Sequence, residues 1–145
     1  MKIVSRSALL TYSPQQVFDV VADVAAYQEF LPWCERSEVL NQSPTDMTGR
    51  LTISRAGVSQ SFTTRNEMDP PHRIDLMLVD GPFNELQGHW RFTQLGSDGC
   101  KVEMNLRFDF SSSLVNLALG RMFEQAVDTL VDAFCARVES IHSNV

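Results

Sequence analysis

The chain has 145 residues, of which 43% are hydrophobic and 21% charged, and its formal net charge is −6. That length suits one domain with a substantial core, and the composition is that of a globular protein, which excludes disordered and fibrous classes. Lys2 and Lys101 are the only lysines, which argues against sequence-independent binding to nucleic acid. We expect a single domain spanning residues 1–145 that does not bind DNA.

Cysteine usage and hydropathy predict the compartment. Cys34, Cys100 and Cys135 form no CxxC pair, and an odd number leaves no closed disulfide framework. The N-terminal residues enter strand-like alternation without a charged leader, and no apolar run approaches the roughly 18 residues that span a bilayer. These features favour the cytoplasm, with peripheral contact at the inner membrane left open.

The first part of the chain predicts a strand followed by two short helices. Residues 2–12 include β-branched and apolar residues that lack helical spacing. Ser13 is a good helix cap and Pro14 suits the first helical turn. A second short helix is predicted at 24–29, and the proline in the following segment, 30–34, favours a bulky apolar loop.

The middle of the chain predicts about six strands joined by short turns. The turn signals are Ser43-Pro44-Thr45-Asp46, Ala56-Gly57, Pro70-Pro71, Asp80-Gly81-Pro82 and Gly96-Ser97-Asp98-Gly99. The last strand has the clearest alternation, because Val102, Met104, Leu106, Phe108 and Phe110 are separated by polar residues. One wet and one buried face are typical of an antiparallel sheet.

The segment from Ser111 to about His142 predicts a long amphipathic helix, with serine hydroxyls available as a cap. Its apolar face comprises Leu119, Met122, Phe123, Ala126, Val127, Leu130, Phe134, Val138 and Ile141. Gly120 interrupts this helix, either where a ligand or backbone approaches closely or where the helix docks on the sheet. The predicted fold class is α+β, with a curved antiparallel sheet wrapped around the C-terminal helix.

The polar residues predict neither a metal site nor a catalytic set. His72, His89 and His142 are scattered and lack a partner at ligand spacing, and no GxSxG or glycine-rich phosphate loop occurs. Alternation places His89 on the face opposite Trp90, which favours a solvated histidine.

Five arginines in the strand region leave a local basic patch open: Arg50, Arg55, Arg65, Arg73 and Arg91. Outward arginines on strands also commonly form an ordinary solvated face.

The apolar residues say more about function than the polar residues do. A curved sheet and one straight helix need not fill the space between them, which would leave an elongated pocket for a hydrophobic ligand; the alternative is a filled core. The predicted cavity residues are Phe62, Leu76, Leu86, Trp90, Phe92, Met104, Leu106, Phe108, Met122, Phe123, Val127 and Leu130.

Two apolar loops are candidates for the cavity mouth. Phe30, Leu31, Pro32 and Trp33 form one, and Pro82 with Phe83 forms the other. These residues are either core plugs or a lid that touches a membrane or a partner. Asn116, near the apolar stripe of the long helix, is a candidate polar contact for a ligand head group.

The sequence resembles the START-like superfamily (polyketide cyclase/dehydrase and lipid transport), and within it the coenzyme Q-binding and ribosome association toxin (RatA) family. The resemblance covers essentially the whole chain. It rests on Asp23-Val24-Ala25-Ala26-Tyr27, Phe30-Leu31-Pro32-Trp33-Cys34, Phe62-Thr63-Thr64-Arg65-Asn66, Leu78-Val79-Asp80-Gly81-Pro82-Phe83, Trp90-Arg91-Phe92 and Gly120-Arg121-Met122-Phe123. Together these motifs are specific, although none is so alone.

The resemblance implies a helix-grip fold and two different functions. Members of the coenzyme Q branch bind ubiquinone in the apolar cavity and support respiratory electron transfer, with a loop like Pro32-Trp33-Cys34 near the mouth. RatA proteins are described as binding the large (50S) ribosomal subunit and blocking its association with the small one. The acidic charge does not favour an RNA-facing role, but contact with a ribosomal protein would escape this objection.

We therefore expect a non-enzymatic carrier that needs no cofactor and binds a quinone or related lipid as its ligand, with transient membrane contact. A regulator that binds the large ribosomal subunit is the alternative. A small-molecule cyclase or dehydrase ranks third, because alternation places most charged strand residues outside the pocket.

Overall fold

The structure, a computed structural model, describes residues 2–55 and 57–143, so Ala56 of the predicted Ala56-Gly57 turn lies outside the described residues. The elements run in the order β1 (Lys2–Leu10), α1 (Pro14–Ala22), a 3₁₀ helix (Val24–Ala26), α2 (Tyr27–Phe30), β2 (Cys34–Gln42), β3 (Asp46–Arg55), β4 (Val58–Asp69), β5 (Arg73–Asp80), β6 (Phe83–Leu95), β7 (Gly99–Phe110) and α3 (Ser113–His142). The order of strand, short helices, strands and long helix confirms the predicted α+β class.

All seven strands belong to one antiparallel sheet in the order β1-β7-β6-β5-β4-β3-β2. The register shifts between Cys34 and Arg36, between Thr63 and Thr64, and between Phe83 and Glu85. An extra residue at such a point bends its strand and increases the local twist, which curves the sheet around α3.

Alternation along the strands places the core on one face, as predicted. On β7, Val102, Met104 and Phe108 are each no more than 3% exposed. On β5 the opposite parity faces water, and Met77 and Val79 are 47% and 59% exposed. Successive side chains of a strand point to opposite faces, so hydrophobic parity determines which face the helix covers.

Local chemistry sets the helix starts. Ser13 forms a capping box with Gln16 at the start of α1, where Pro14 occupies the first turn. The serine that caps α3 is Ser112, whose hydroxyl accepts from the amides of Leu114 and Val115. Such caps satisfy amide groups that have no partner inside the helix.

The apolar face of α3 is largely the predicted one, with two corrections. Ile141 is 49% exposed, because it lies beyond Val138, the last buried residue of the helix. Val131, absent from the predicted stripe, is 3% exposed. α3 packs against α1 as well as β1 and β7. Its buried face therefore includes Val131, whereas Met122 and Leu130 are half-buried.

Gly120 is buried in α3 for a reason that neither sequence hypothesis contained. The three atoms nearest to the position of a Cβ at Gly120 all belong to the side chain of Asn116, one turn earlier on the same helix. The glycine therefore makes room for the Asn116 side chain, and no atom of a described strand lies closer to that position. No helix within the described ranges is both long and apolar enough to cross a membrane.

Candidate functional site

A cavity of about 100 Å³ lies between the inner face of the sheet and α3. α3 packs mainly on β1, β7 and α1, and the space remains on the side of β3, β4 and β5. The cavity is lined by Val21, Val24, Tyr27, Trp33, Gly49, Leu51, Phe62, Thr64, Asn66, Ile74, Leu76, Leu86, Trp90, Met104, Asn105, Leu106, Phe123, Ala126, Val127, Leu130 and Phe134.

Most residues predicted for the cavity surround it. They are Phe62, Leu76, Leu86, Trp90, Met104, Leu106, Phe123, Val127 and Leu130. Three others do not line it. Phe92 stacks on Trp90 and meets Phe18 of α1 edge-on, with ring centres 5.5 Å apart. Phe108 packs on Phe123 at 4.8 Å, and Met122 is half-buried beside the stripe. Strand alternation predicts which side chains point to the inner face of the sheet, but it does not predict which of them lie beside the cavity.

The predicted mouth is only partly present. Trp33 borders the cavity, whereas Leu31 is 1% exposed and is a core residue. Phe30 is half-buried and packs on Phe134 at 5.7 Å, and Pro32 is exposed.

The second apolar loop lies away from the cavity, at the start of α3. The Ser111 amide donates to the Pro82 carbonyl at 2.9 Å, and Phe83 stacks on Phe110 at 4.7 Å. Phe83 is therefore a buried core residue. Asn116 is exposed in a separate polar depression with Ser112 and Glu124, so it is not near the cavity.

The short helices provide cavity residues that the sequence did not indicate. Val24 and Tyr27 come from the 3₁₀ helix and α2, whose few residues carry no periodic signal. Thr64 and Asn66 follow Phe62 at the same parity on β4, so strand alternation was a signal that could have found them. Gly49 lines the cavity opposite Thr64.

Tyr27 joins the short helices to α3. Its ring centre is 5.2 Å from that of Phe134 and 6.2 Å from that of Phe30. Its hydroxyl donates to the backbone carbonyl of Val21. Burial raises the pKa of Tyr27, and the nearby Asp23 carboxylate raises it further, so the phenol is neutral at physiological pH and is already used as a donor.

Ser37 anchors the same helices to the sheet. This β2 residue is 6% exposed, and its hydroxyl donates to the Ala25 carbonyl at 3.1 Å. The hydroxyl also accepts from the Gln28 amide at 3.2 Å, while the Gln28 side-chain oxygen accepts from the Ser37 amide at 3.3 Å. This network holds the short helices, which carry the lining residues Val24 and Tyr27, against β2.

The cavity wall is neutral. None of the described residues that line it is charged, and Thr64 and Asn66 form its polar pair, with the Thr64 hydroxyl donating to Asn66 Oδ1 at 3.1 Å. Elsewhere in the described ranges, no group of His, Cys, Asp and Glu is placed to hold a metal ion. The arrangement suits binding of a neutral apolar molecule better than acid–base chemistry.

The arginines of the outer sheet face are largely paired with carboxylates. Arg50 lies 3.0 Å from Glu38, Arg65 lies 3.0 Å from Asp46, and Arg73 and Arg91 lie 3.2 and 3.0 Å from Asp75. Arg55 is exposed at the end of β3. His89 lies in a shallow outer depression with Arg6 and Glu103. This pairing lowers the positive potential that a phosphate backbone would require.

The architecture is that of a START-like, helix-grip protein with an apolar cavity under its long helix. Residues 10–135 match the family described as polyketide cyclase / dehydrase and lipid transport. The chain therefore belongs to this family. A START superfamily protein from Mycobacterium smegmatis superposes with a TM-score of 0.78 over 96% of this chain and 98% of that one, at 21% identity, which shows the shared fold.

Two kinds of curated relatives match nearly the whole chain. The Pseudomonas aeruginosa protein named ribosome association toxin RatA is 46% identical over 139 residues, covering 96% of each chain. The Xenopus laevis protein named coenzyme Q-binding protein COQ10 homolog B, mitochondrial, is 32% identical over 134 residues, covering 90% of this chain and 55% of that one. The relatives thus carry both of the names that the sequence resemblance implied.

Proposed function

We propose that the protein is a non-enzymatic carrier that binds ubiquinone or a related isoprenoid lipid in the cavity and thereby supports respiratory electron transport. The observation that carries this proposal is the neutral apolar space between the sheet and α3. Burying an isoprenoid there would contribute roughly 25 cal/mol per Å² of apolar area removed from water. The relative named as coenzyme Q-binding supports the choice of ligand.

Ligand entry requires the cavity to expand. Its volume of about 100 Å³ is below the roughly 300–1,000 Å³ of typical small-molecule sites. Trp33 and Leu130 are half-buried at its boundary, so they can turn outward at a smaller packing cost than the fully buried Phe62 and Val127. We expect the head group and the first isoprene units to enter, with the remaining tail leaving beside Trp33.

The carrier would work in the cytoplasm and meet the inner membrane only while exchanging its ligand.

A cyclase or dehydrase is the least favoured of the three functions, because the cavity wall is neutral. General acid–base catalysis needs a titratable side chain within reach of the substrate. Among the described lining residues that side chain is Tyr27, which already donates to Val21 and has a raised pKa.

The test is extraction of lipids from the purified protein, with mass spectrometry of quinones and acyl lipids. The matched variants are Ala126→Leu and Ala118→Leu, because Ala126 lines the cavity whereas Ala118 is exposed on the same helix. We expect Ala126→Leu to reduce bound quinone strongly and Ala118→Leu to leave it unchanged. Wild-type protein that neither copurifies with these lipids nor takes them up would refute the carrier function.

A second function is favoured by a different observation. The relative with 46% identity over 96% of both chains carries the name ribosome association toxin. A role in binding the large ribosomal subunit predicts comigration with free large subunits in a sucrose gradient. Because the outer-face arginines are mostly paired, we expect a ribosomal protein to supply the contact. Absence from the large-subunit fractions would exclude this function without affecting the carrier proposal.

A further inference from the structure

The polar pair in the cavity wall has a chemical consequence for ligand choice, which rests on the proposed carrier function. We infer that Asn66, oriented by Thr64, donates a hydrogen bond to a carbonyl oxygen of the bound molecule. The site would then select neutral ligands that carry an acceptor at one end, such as quinones, over plain hydrocarbons and over carboxylates.

The position of the pair follows from β4. Phe62, Thr64 and Asn66 share one parity and line the cavity together. Across the ladder to β3, Thr64 faces Gly49, and Asn66 faces Met47. Gly49, which lies directly across from Thr64, lines the cavity together with Thr64 and Asn66.

The hydrogen bonds assign the role of each atom. Thr64 Oγ1 donates to Asn66 Oδ1 at 3.1 Å, so the carbonyl of the Asn66 amide is engaged and its Nδ2 group is left as the donor. No described residue accepts from Nδ2. Since every fully buried side-chain N or O atom of the described residues has a partner, Nδ2 is still accessible in the ligand-free cavity.

A ligand that covers Nδ2 must therefore supply an acceptor or leave a buried donor unsatisfied, which is costly. Two other polar lining side chains already have their donors engaged. The Tyr27 hydroxyl donates to Val21, and the Asn105 side chain donates to Ser5 Oγ on the outer face of the sheet. A carboxylate would enter without a compensating cation, because none of the described lining residues is charged, so free fatty acids are disfavoured.

Titration calorimetry of the whole chain with three probes tests this inference: a benzoquinone with a decyl tail, decylbenzene and decanoate. The variants are Asn66→Asp, which keeps the side-chain size but removes the donor, and Asn66→Leu, for use if the buried charge prevents folding. Asn41→Asp, at an exposed position of β2 outside the cavity lining, is the matched control. Thr64→Val removes the hydroxyl that orients Asn66.

We expect wild-type protein to bind the quinone more tightly than decylbenzene, by about fivefold to tenfold, and to bind decanoate weakest. Asn66→Leu should abolish the preference by weakening only quinone binding, Thr64→Val should reduce it partly, and Asn41→Asp should preserve it. Equal binding of quinone and decylbenzene by wild type, or a preference that survives in both Asn66 variants, would overturn the inference and leave the carrier function intact. Failure of wild type to bind either probe would instead refute the carrier function.

Discussion

Arg137 of α3 lies over the ring of Phe30 of α2, with its guanidinium carbon 4.9 Å from the ring centre. Its Nη2 atom is also 3.4 Å from Glu29 Oε1. On its other side, the Phe30 ring meets Phe134 edge-on. The Arg137 side chain therefore holds α2 against α3. Because Tyr27 of α2 lines the cavity, this contact also holds part of the cavity wall in place.

Replacing Arg137 with Met should loosen α2 without unfolding the sheet. Methionine retains apolar contact but loses the cation–π interaction and the exposed ion pair, which together are worth about 1 kcal/mol. We expect faster amide hydrogen exchange across 24–31 and little change in β7. Arg121→Met, at an exposed position of the same helix, is the control. Equal exchange in the two variants would show that Arg137 does not restrain α2.

Ser37→Ala should destabilise the protein by about 1–2 kcal/mol, because it removes the partner of the Ala25 carbonyl and the Gln28 amide from two partly buried hydrogen bonds. Urea denaturation monitored by circular dichroism measures this loss. Ser7→Ala, on the exposed face of β1, should change the free energy of unfolding by less than about 0.5 kcal/mol. A loss no larger for Ser37→Ala than for Ser7→Ala would mean that water replaces the network.

Phe123→Ala should be among the most destabilising truncations in the chain, at about 3–5 kcal/mol. The Phe123 ring is 4% exposed and lies between 4.8 and 6.0 Å from four other phenylalanine rings: Phe62, Phe83, Phe108 and Phe110. Leu117→Ala, at a position that is 85% exposed on the same helix, is the control and should be nearly neutral. Thermal denaturation of both variants is the measurement, and similar melting temperatures would contradict the packing argument.

Stability should fall at alkaline pH because of buried thiols. Burial raises the pKa of the Cys34, Cys100 and Cys135 thiols above the ordinary value of 9.0. The folded state then keeps protons that the unfolded state releases, so this contribution is complete below about pH 8 and declines as pH rises through 9 toward the folded-state pKa values. Urea midpoints at about pH 7 and pH 10 measure the decline.

The Cys100→Ala variant isolates one of these groups, since Cys100 is 0% exposed. We expect a smaller loss of stability between about pH 7 and pH 10 in this variant than in wild type. An unchanged loss would assign the alkaline effect to other groups, such as Tyr27, whose pKa is also raised.

The strand and helix pattern was largely predictable because its signals are local. Alternation on β7 identified the buried parity, and Ser13 with Pro14 marked the start of α1. The short turns between consecutive strands predicted an antiparallel sheet covered by the long helix, and the resemblance implied the same helix-grip arrangement. The placement of aromatic residues was less predictable, because Phe92 and Phe108 share the inner parity with the cavity residues but lie toward α1 and the start of α3.

What the sequence by itself determined is the set of elements and the apolar faces they bury, since these depend on periods of 2.0 and 3.6 residues along the chain. Only the tertiary structure decided which apolar residues border empty space, because that depends on how far α3 stands from β3, β4 and β5. It also placed Tyr27 against Phe134 and turned Asn116 away from the cavity. Contacts between distant segments decide such positions, and no local period records them.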